Sequence, residues 1–150
     1  MTRIMFVCHG NICRSPMAEF IFRKLTEEAH CTERFPAVSR ATSTEEIGNP
    51  VYPPAKAELA LHGISCAGKT ACQVQRNDYD RYELFLCMDD MNVRNLLRIF
   101  GSDPQGKVKK LLDYTPRGGN VADPWYTDRF DVTYRDITEG CQMLLKSLLE

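Results

Sequence analysis

The sequence predicts an α/β protein in which a parallel sheet is covered by helices on both faces, a three-layer arrangement. Three observations predict it. Short apolar runs alternate along the chain with longer stretches of helical periodicity. The runs are nearly continuous in apolar residues, as in Ile4-Met5-Phe6-Val7 and Leu84-Phe85-Leu86, which is the pattern of strands buried on both sides. No repeat, low-complexity tract or linker breaks the alternation, so residues 1–150 read as one domain.

The first strand is the run from Ile4, and Gly10 and Asn11 just beyond it favour a curled loop because both residue types tolerate positive φ. Ser15 reads as an N-cap and Pro16 as the first residue of a helix to about Ala29, with Met17, Phe20, Ile21 and Leu25 at helical spacing. The capping box is incomplete, since Ala18 holds its acidic position and Glu19 comes one residue late. Phe35 to Ala41 follows as a second strand, and the polar, Gly- and Pro-containing stretch 42–54 as a loop. Pro54 to His62 is helical and closed by Gly63, and Asn77 to Tyr82 is a short helix or turn. Glu83 to Met88 is a strand, Asp90 to Phe100 a helix stopped at Gly101, and Val108 to Leu112 a fourth strand. A long loop from Asp113 to Phe130 leads to a last helix, Asp131 to Leu149, with Tyr134, Ile137, Cys141, Leu144, Leu145 and Leu148 along one face.

Bulk properties narrow the function. With 150 residues the chain can bury a substantial core, and 43% apolar content is ordinary. A net charge of −1 gives no footprint for nucleic acid or for a membrane surface. The N-terminal apolar run is too short for a signal peptide, and no stretch is long enough to span a bilayer. Seven cysteines, an odd number without zinc-type or disulfide-scaffold spacing, point to a reducing cytoplasm and to no metal.

One motif carries chemistry. Between the first strand and the first helix lies Cys8-His9-Gly10-Asn11-Ile12-Cys13-Arg14-Ser15, with a thiol and a guanidinium six positions apart. A loop that turns successive N–H groups inward at a helix N-terminus binds a dianion, and the same field favours the thiolate of Cys8. Arg14 can grip two phosphate oxygens with its fixed fork, and Ser15 can hydrogen-bond the sulfur when it departs as a leaving group. In such folds ligands bind beyond the carboxyl ends of the strands, where this loop lies. A phosphoryl ester also needs an acid for its leaving oxygen. Asp123 is the candidate, because Pro124 holds it extended and a flexible Gly118-Gly119-Asn120 segment can carry it to Cys8 from 115 positions away. Trp125 and Tyr126 supply aromatic surface for a phenyl ring.

The stretch from Ile4 to Leu25 resembles the signature loop of the low-molecular-weight protein tyrosine phosphatases. Further matches are Asp123-Pro124-Trp125-Tyr126, Cys87-Met88-Asp89, Ala41-Thr42-Ser43 and Ile47-Gly48-Asn49-Pro50, so the resemblance spans the chain. It implies a four-stranded, flavodoxin-like sheet and a phosphatase acting on phosphotyrosine or small aryl phosphates. Cys8 would be the nucleophile, Arg14 the phosphate-binding residue and Asp123 the general acid and base. His9, Gly10, Asn11, Ile12, Cys13, Ser15, Glu45, Trp125 and Tyr126 would line or hold the substrate site, and no cofactor is required. The resemblance also pairs Asn11 with Ser15 and Ser39 as a support for the loop, and lets Cys13 trap an oxidised Cys8 as a disulfide. Asp89 reads as a helix cap rather than a reacting group. The expected partner is the substrate alone, with a monomer or weak self-association.

The chain departs from the family pattern in places. His9 stands where small or apolar residues are usual, and a histidine there should point away from the sulfur. Glu45 stands where relatives often present an aromatic ring to the substrate. Lys69 and Cys72 replace a His and an Arg. Two other readings share the loop: an arsenate reductase using a thiol cascade through Cys66, Cys72 or Cys87, and a non-catalytic phosphate-binding module. The first lacks a use for the Asp-Pro-Trp-Tyr segment, and the second would be expected to lose the nucleophile or the acid.

Overall fold

The computed structural model describes residues 1–150. Four strands form one parallel sheet: β1 (Ile4–Cys8), β2 (Ala37–Ala41), β3 (Leu84–Cys87) and β4 (Val108–Lys110), in the order β2-β1-β3-β4. Five helices connect or follow them: α1 (Arg14–Glu28), α2 (Pro53–Leu61), α3 (Asp90–Phe100), α4 (Pro124–Thr127) and α5 (Phe130–Leu149). The predicted three-layer, four-stranded α/β architecture is therefore present, with the strand order of a flavodoxin-like sheet.

The alternation of side chains along β1 divides the interior. Ile4, Phe6 and Cys8 point into the larger core, shared with α1, α2 and α5. Met5 and Val7 point the other way, toward Phe85, Leu96 and Phe100 beneath α3. All five β1 residues are buried, which is why the strand reads as an unbroken apolar run. β1 pairs β2 from Ile4↔Ala37 to Cys8↔Ala41 and β3 from Ile4↔Leu84 to Val7↔Cys87, so Cys8 emerges at the carboxyl edge between two neighbours.

Several boundaries differ from expectation, each for a local reason. Helix α1 begins at Arg14 after Cys13, so Ser15 lies inside the first turn and is not its N-cap; its hydroxyl is drawn to the site described below. β2 begins at Ala37 because Pro36 has no N–H for a sheet ladder, although Phe35 is buried in the core. β4 ends at Lys110, and the chain turns off the sheet there into the 3₁₀ turn Leu111–Tyr114, which buries both Leu111 and Leu112. The long loop thus contains this turn and the short helix α4. Helix α3 has its expected limits, capped by Asp89 and ended by Gly101 at φ 84.

Candidate active site

β1 delivers Cys8 to the end of the sheet and α1 takes the chain away from it, leaving five residues to turn between them. Asn11 makes the turn at φ 60; Gly10 has no positive φ, and a Cβ there would meet Glu46 Cγ at 3.4 Å, an ordinary contact. Three of the site's side chains are buried: Cys8 is 4% exposed, Asn11 1% and Arg14 3%, whereas His9 lies at the surface.

A chain of hydrogen bonds fixes the sulfur. The Cys72 backbone N–H donates to Asn11 Oδ1 at 3.1 Å, which sets the orientation of the amide. Asn11 Nδ2 then donates to Ser15 Oγ at 2.7 Å, so the Ser15 hydroxyl proton is left to point at Cys8 Sγ, 3.0 Å away. The Asn11 backbone N–H also donates to Sγ at 3.3 Å. Two donors thus converge on the sulfur, the arrangement a thiolate requires.

Arg14 is held from the side opposite the strand. Its Nη1 donates to Asp89 Oδ2 and to the Val121 carbonyl, both at 2.8 Å, and its Nη2 lies 3.5 Å from Asp123 Oδ2. Burial opposes the charge on Arg14, but the Cys8, Asp89 and Asp123 groups around it outweigh burial and hold its pKa above the ordinary value. Asp89 serves two elements at once, since its other oxygen accepts the Asn92 N–H at 2.8 Å as the cap of α3. Its expected structural role is what it has here.

Asp123 caps α4, with Oδ1 accepting the Trp125 N–H at 3.0 Å and the backbone extended at φ −76, ψ 114, as Pro124 demands. Trp125 is 56% exposed and Tyr126 84%. A cavity of about 290 Å³ opens between these segments, lined by Cys8, His9, Gly10, Asn11, Ile12, Cys13, Arg14, Glu45, Glu46, Asp123, Trp125 and Tyr126. The fold therefore brings together nearly every residue singled out in the sequence. Ser15 lies behind the wall, bonded to the sulfur, and Ser39 lies apart.

The pairing of Ser39 with Asn11 is not present. Ser39 Oγ donates to Glu19 Oε1 at 2.6 Å, because β2 aims it at the buried face of α1. Glu19 also pairs with Arg23 at 2.7 Å and lies 3.8 Å from Lys69, whose Nζ donates to the Ser39 carbonyl. Burial pulls the Lys69 pKa down, and Glu19 works against it. Through this bond Ser39 ties β2 to α1. His9 turns to Glu45, with Nε2 and Oε2 2.9 Å apart, and so faces the cavity wall instead of the sulfur. Burial, then the nearby Cys8 and Asp123, push the Cys13 thiol up to about 12, which keeps it protonated. Cys66, Cys72 and Cys87 do not line the cavity.

Sequence reasoning missed Glu46, the Val121 carbonyl, the Cys72 N–H and Tyr52, whose ring lies 4.9 Å from that of Trp125. Glu46 directly follows Glu45 and shares its wall, so its neighbour was a usable signal. A backbone group recruited from 61 or 107 positions away leaves no mark on side-chain pattern.

Comparison with known proteins gives a consistent picture. A family model described as low molecular weight phosphotyrosine protein phosphatase matches residues 3–150. The low molecular weight protein-tyrosine-phosphatase YfkJ of Bacillus subtilis is 37% identical over 150 residues, with 99% of this chain and 96% of that protein covered. Its crystal structure matches with a TM-score of 0.96 over 99% of this chain and 95% of that one. The low molecular weight phosphotyrosine protein phosphatase of Gallus gallus is 37% identical, covering 98% of this chain and 93% of its own. A crystal structure of the Streptococcus pyogenes phosphatase is 34% identical with a TM-score of 0.90, covering 100% of this chain and 95% of that one.

Proposed function

Because this chain belongs to the low molecular weight phosphotyrosine protein phosphatase family, we propose that residues 1–150 act as one domain hydrolysing phosphotyrosine and small aryl phosphates through a phosphocysteine on Cys8. The chain is an enzyme, a phosphoric monoester hydrolase. The observation that carries the residue assignment is the convergence of the Asn11 N–H and the Ser15 hydroxyl on Cys8 Sγ, at the floor of a cavity that Arg14 and Asp123 also line.

The reaction proceeds in two displacements. Cys8 Sγ attacks phosphorus in line, a sulfur–phosphorus bond forms, and the ester phosphorus–oxygen bond breaks while Asp123 gives its proton to the leaving oxygen. Asp123, now a carboxylate, takes a proton from water whose oxygen attacks phosphorus. Sulfur leaves as a thiolate, stabilised by the Ser15 hydroxyl, and inorganic phosphate is released. In both steps the loop N–H groups and the Nε–Nη2 edge of the Arg14 guanidinium meet the equatorial oxygens. Asp89 and the Val121 carbonyl hold the other edge, so the fork is oriented before substrate arrives. These groups supply the positive charge, so the chemistry calls for no metal.

No helix is long and apolar enough to cross a membrane, and all seven cysteines are unpaired, which supports work in a reducing, cytoplasmic setting. The decisive experiment is hydrolysis of para-nitrophenyl phosphate in excess chelator, with wild type beside Cys8→Ser. Activity in the first that is lost in the second is expected; turnover surviving in a folded Cys8→Ser protein rejects the phosphocysteine route.

A further inference from the structure

Asp123 rides on a helix of four residues, and the two aromatics that follow Pro124 lie largely in solvent. Little of that segment's own surface is available to aim a carboxylate. An aromatic support comes from Tyr52, a residue outside every family motif noted above. Its ring lies 4.9 Å from Trp125, tilted by 49°, and 6.1 Å from Phe130 at the start of α5.

Tyr52 is mounted rigidly. Pro53 and Pro54 follow it and hold its backbone at φ −56, ψ 133, and the helix they open is anchored by the fully buried Ala55 and Leu59. Its own N–H donates to the Ile12 carbonyl at 2.9 Å, inside the Cys8 loop. One residue therefore touches both halves of the site, the phosphate loop through its backbone and the acid segment through its ring. From the ring the connection is short: the Trp125 N–H donates to Asp123 Oδ1 at 3.0 Å.

We infer that Tyr52 is a positioning residue for the proton carrier, holding Trp125, and through it the Asp123 carboxylate, at a set distance from Cys8; this rests on the reading of Asp123 given above. The ring face is what matters, since the Tyr52 hydroxyl makes no hydrogen bond within the chain.

The test compares kcat/KM on phenyl phosphate, whose leaving group needs a proton, with dinitrophenyl phosphate, whose leaving group does not. Tyr52→Ala is expected to lose about tenfold on phenyl phosphate and to stay within about twofold on dinitrophenyl phosphate, because only the proton-transfer contribution is misplaced. Inhibition by inorganic phosphate, which reads the Cys8 loop alone, should not move. Tyr52→Phe restores the rate and Tyr52→Leu, which fills space without an aromatic face, does not. Trp125 is the only tryptophan, so acrylamide quenching of its fluorescence should rise in the Ala and Leu variants. Equal losses on both esters, a parallel weakening of phosphate inhibition, or wild-type behaviour of Tyr52→Leu overturns the inference. Should Tyr52→Ala not fold, Tyr52→Leu carries the comparison. Asp123→Asn keeps the two assignments apart: leaving-group dependence there but not in Tyr52→Leu rejects Tyr52 alone, and its absence in both rejects Asp123 and Tyr52 together.

Discussion

The two halves of the site are built on opposite terms. In the Cys8 loop the key side chains are buried and over-determined: Asn11 alone makes three bonds, to Cys8, Ser15 and the Cys72 backbone, and Arg14 is held by a carboxylate and a carbonyl. In the segment 123–126 only Pro124 is buried, and the rest is lightly held, by a cap, a long ion pair and an aromatic contact. On the roles proposed above, the difference follows from what each half must recognise. A phosphoryl group has one geometry in every substrate, so donors fixed in advance lower the barrier without reorganising. The leaving group varies, and a proton carrier on an open rim can meet different alcohols at the expense of being easier to disturb.

That contrast can be broken from the acid side first. Asp123→Asn should lower kcat/KM on phenyl phosphate by on the order of a hundredfold, with far less loss on an ester that leaves unprotonated. Equal losses on both esters would mean that Asp123 binds substrate and does not move a proton. Breaking the other half gives a different signature. Asn11→Ala removes the partner of the Cys72 N–H and releases the Ser15 hydroxyl from its single orientation. It should lower activity about tenfold on every ester alike, weaken phosphate inhibition, and reduce stability by about 1 kcal/mol in urea denaturation. A variant that is destabilised but fully active would show that the network supports the fold and not the sulfur.

The smallest effect sharpens the comparison at the rim. Glu45 lines the cavity wall and is occupied by His9. Glu45→Trp should raise kcat/KM on phosphotyrosine peptides about threefold, the scale of one added aromatic contact, and leave inorganic phosphate inhibition unchanged. Unchanged peptide kinetics would mean that the phenyl ring passes on the Trp125 side only.

Much of this was legible one segment at a time. The buried strand, the turn at Asn11, the helix after it and the extended Asp123 before Pro124 each follow from a few neighbouring residues, because the constraints involved are steric and act within one or two peptide units. Limits were less legible. Ser15 has the chemistry of an N-cap, and a single helical turn cannot reveal that Cys8 and Asn11 will take its hydroxyl instead. The pairing of Ser39 failed for a similar reason, since Glu19 on the adjoining helix was the nearer acceptor.

The sequence by itself determined the alternation of strands and helices, and it singled out the Cys8 loop and Asp123 as candidates, since periodicity and short motifs are written locally. Tertiary structure decided which groups meet across the chain: Asp89 and the Val121 carbonyl on Arg14, the Cys72 N–H on Asn11, and Tyr52 on Trp125. Those contacts join segments that are distant along the chain, and only the packing of helices on the sheet sets their distances. Two of them use backbone atoms, which every residue but proline carries alike, so no side-chain pattern could have announced them.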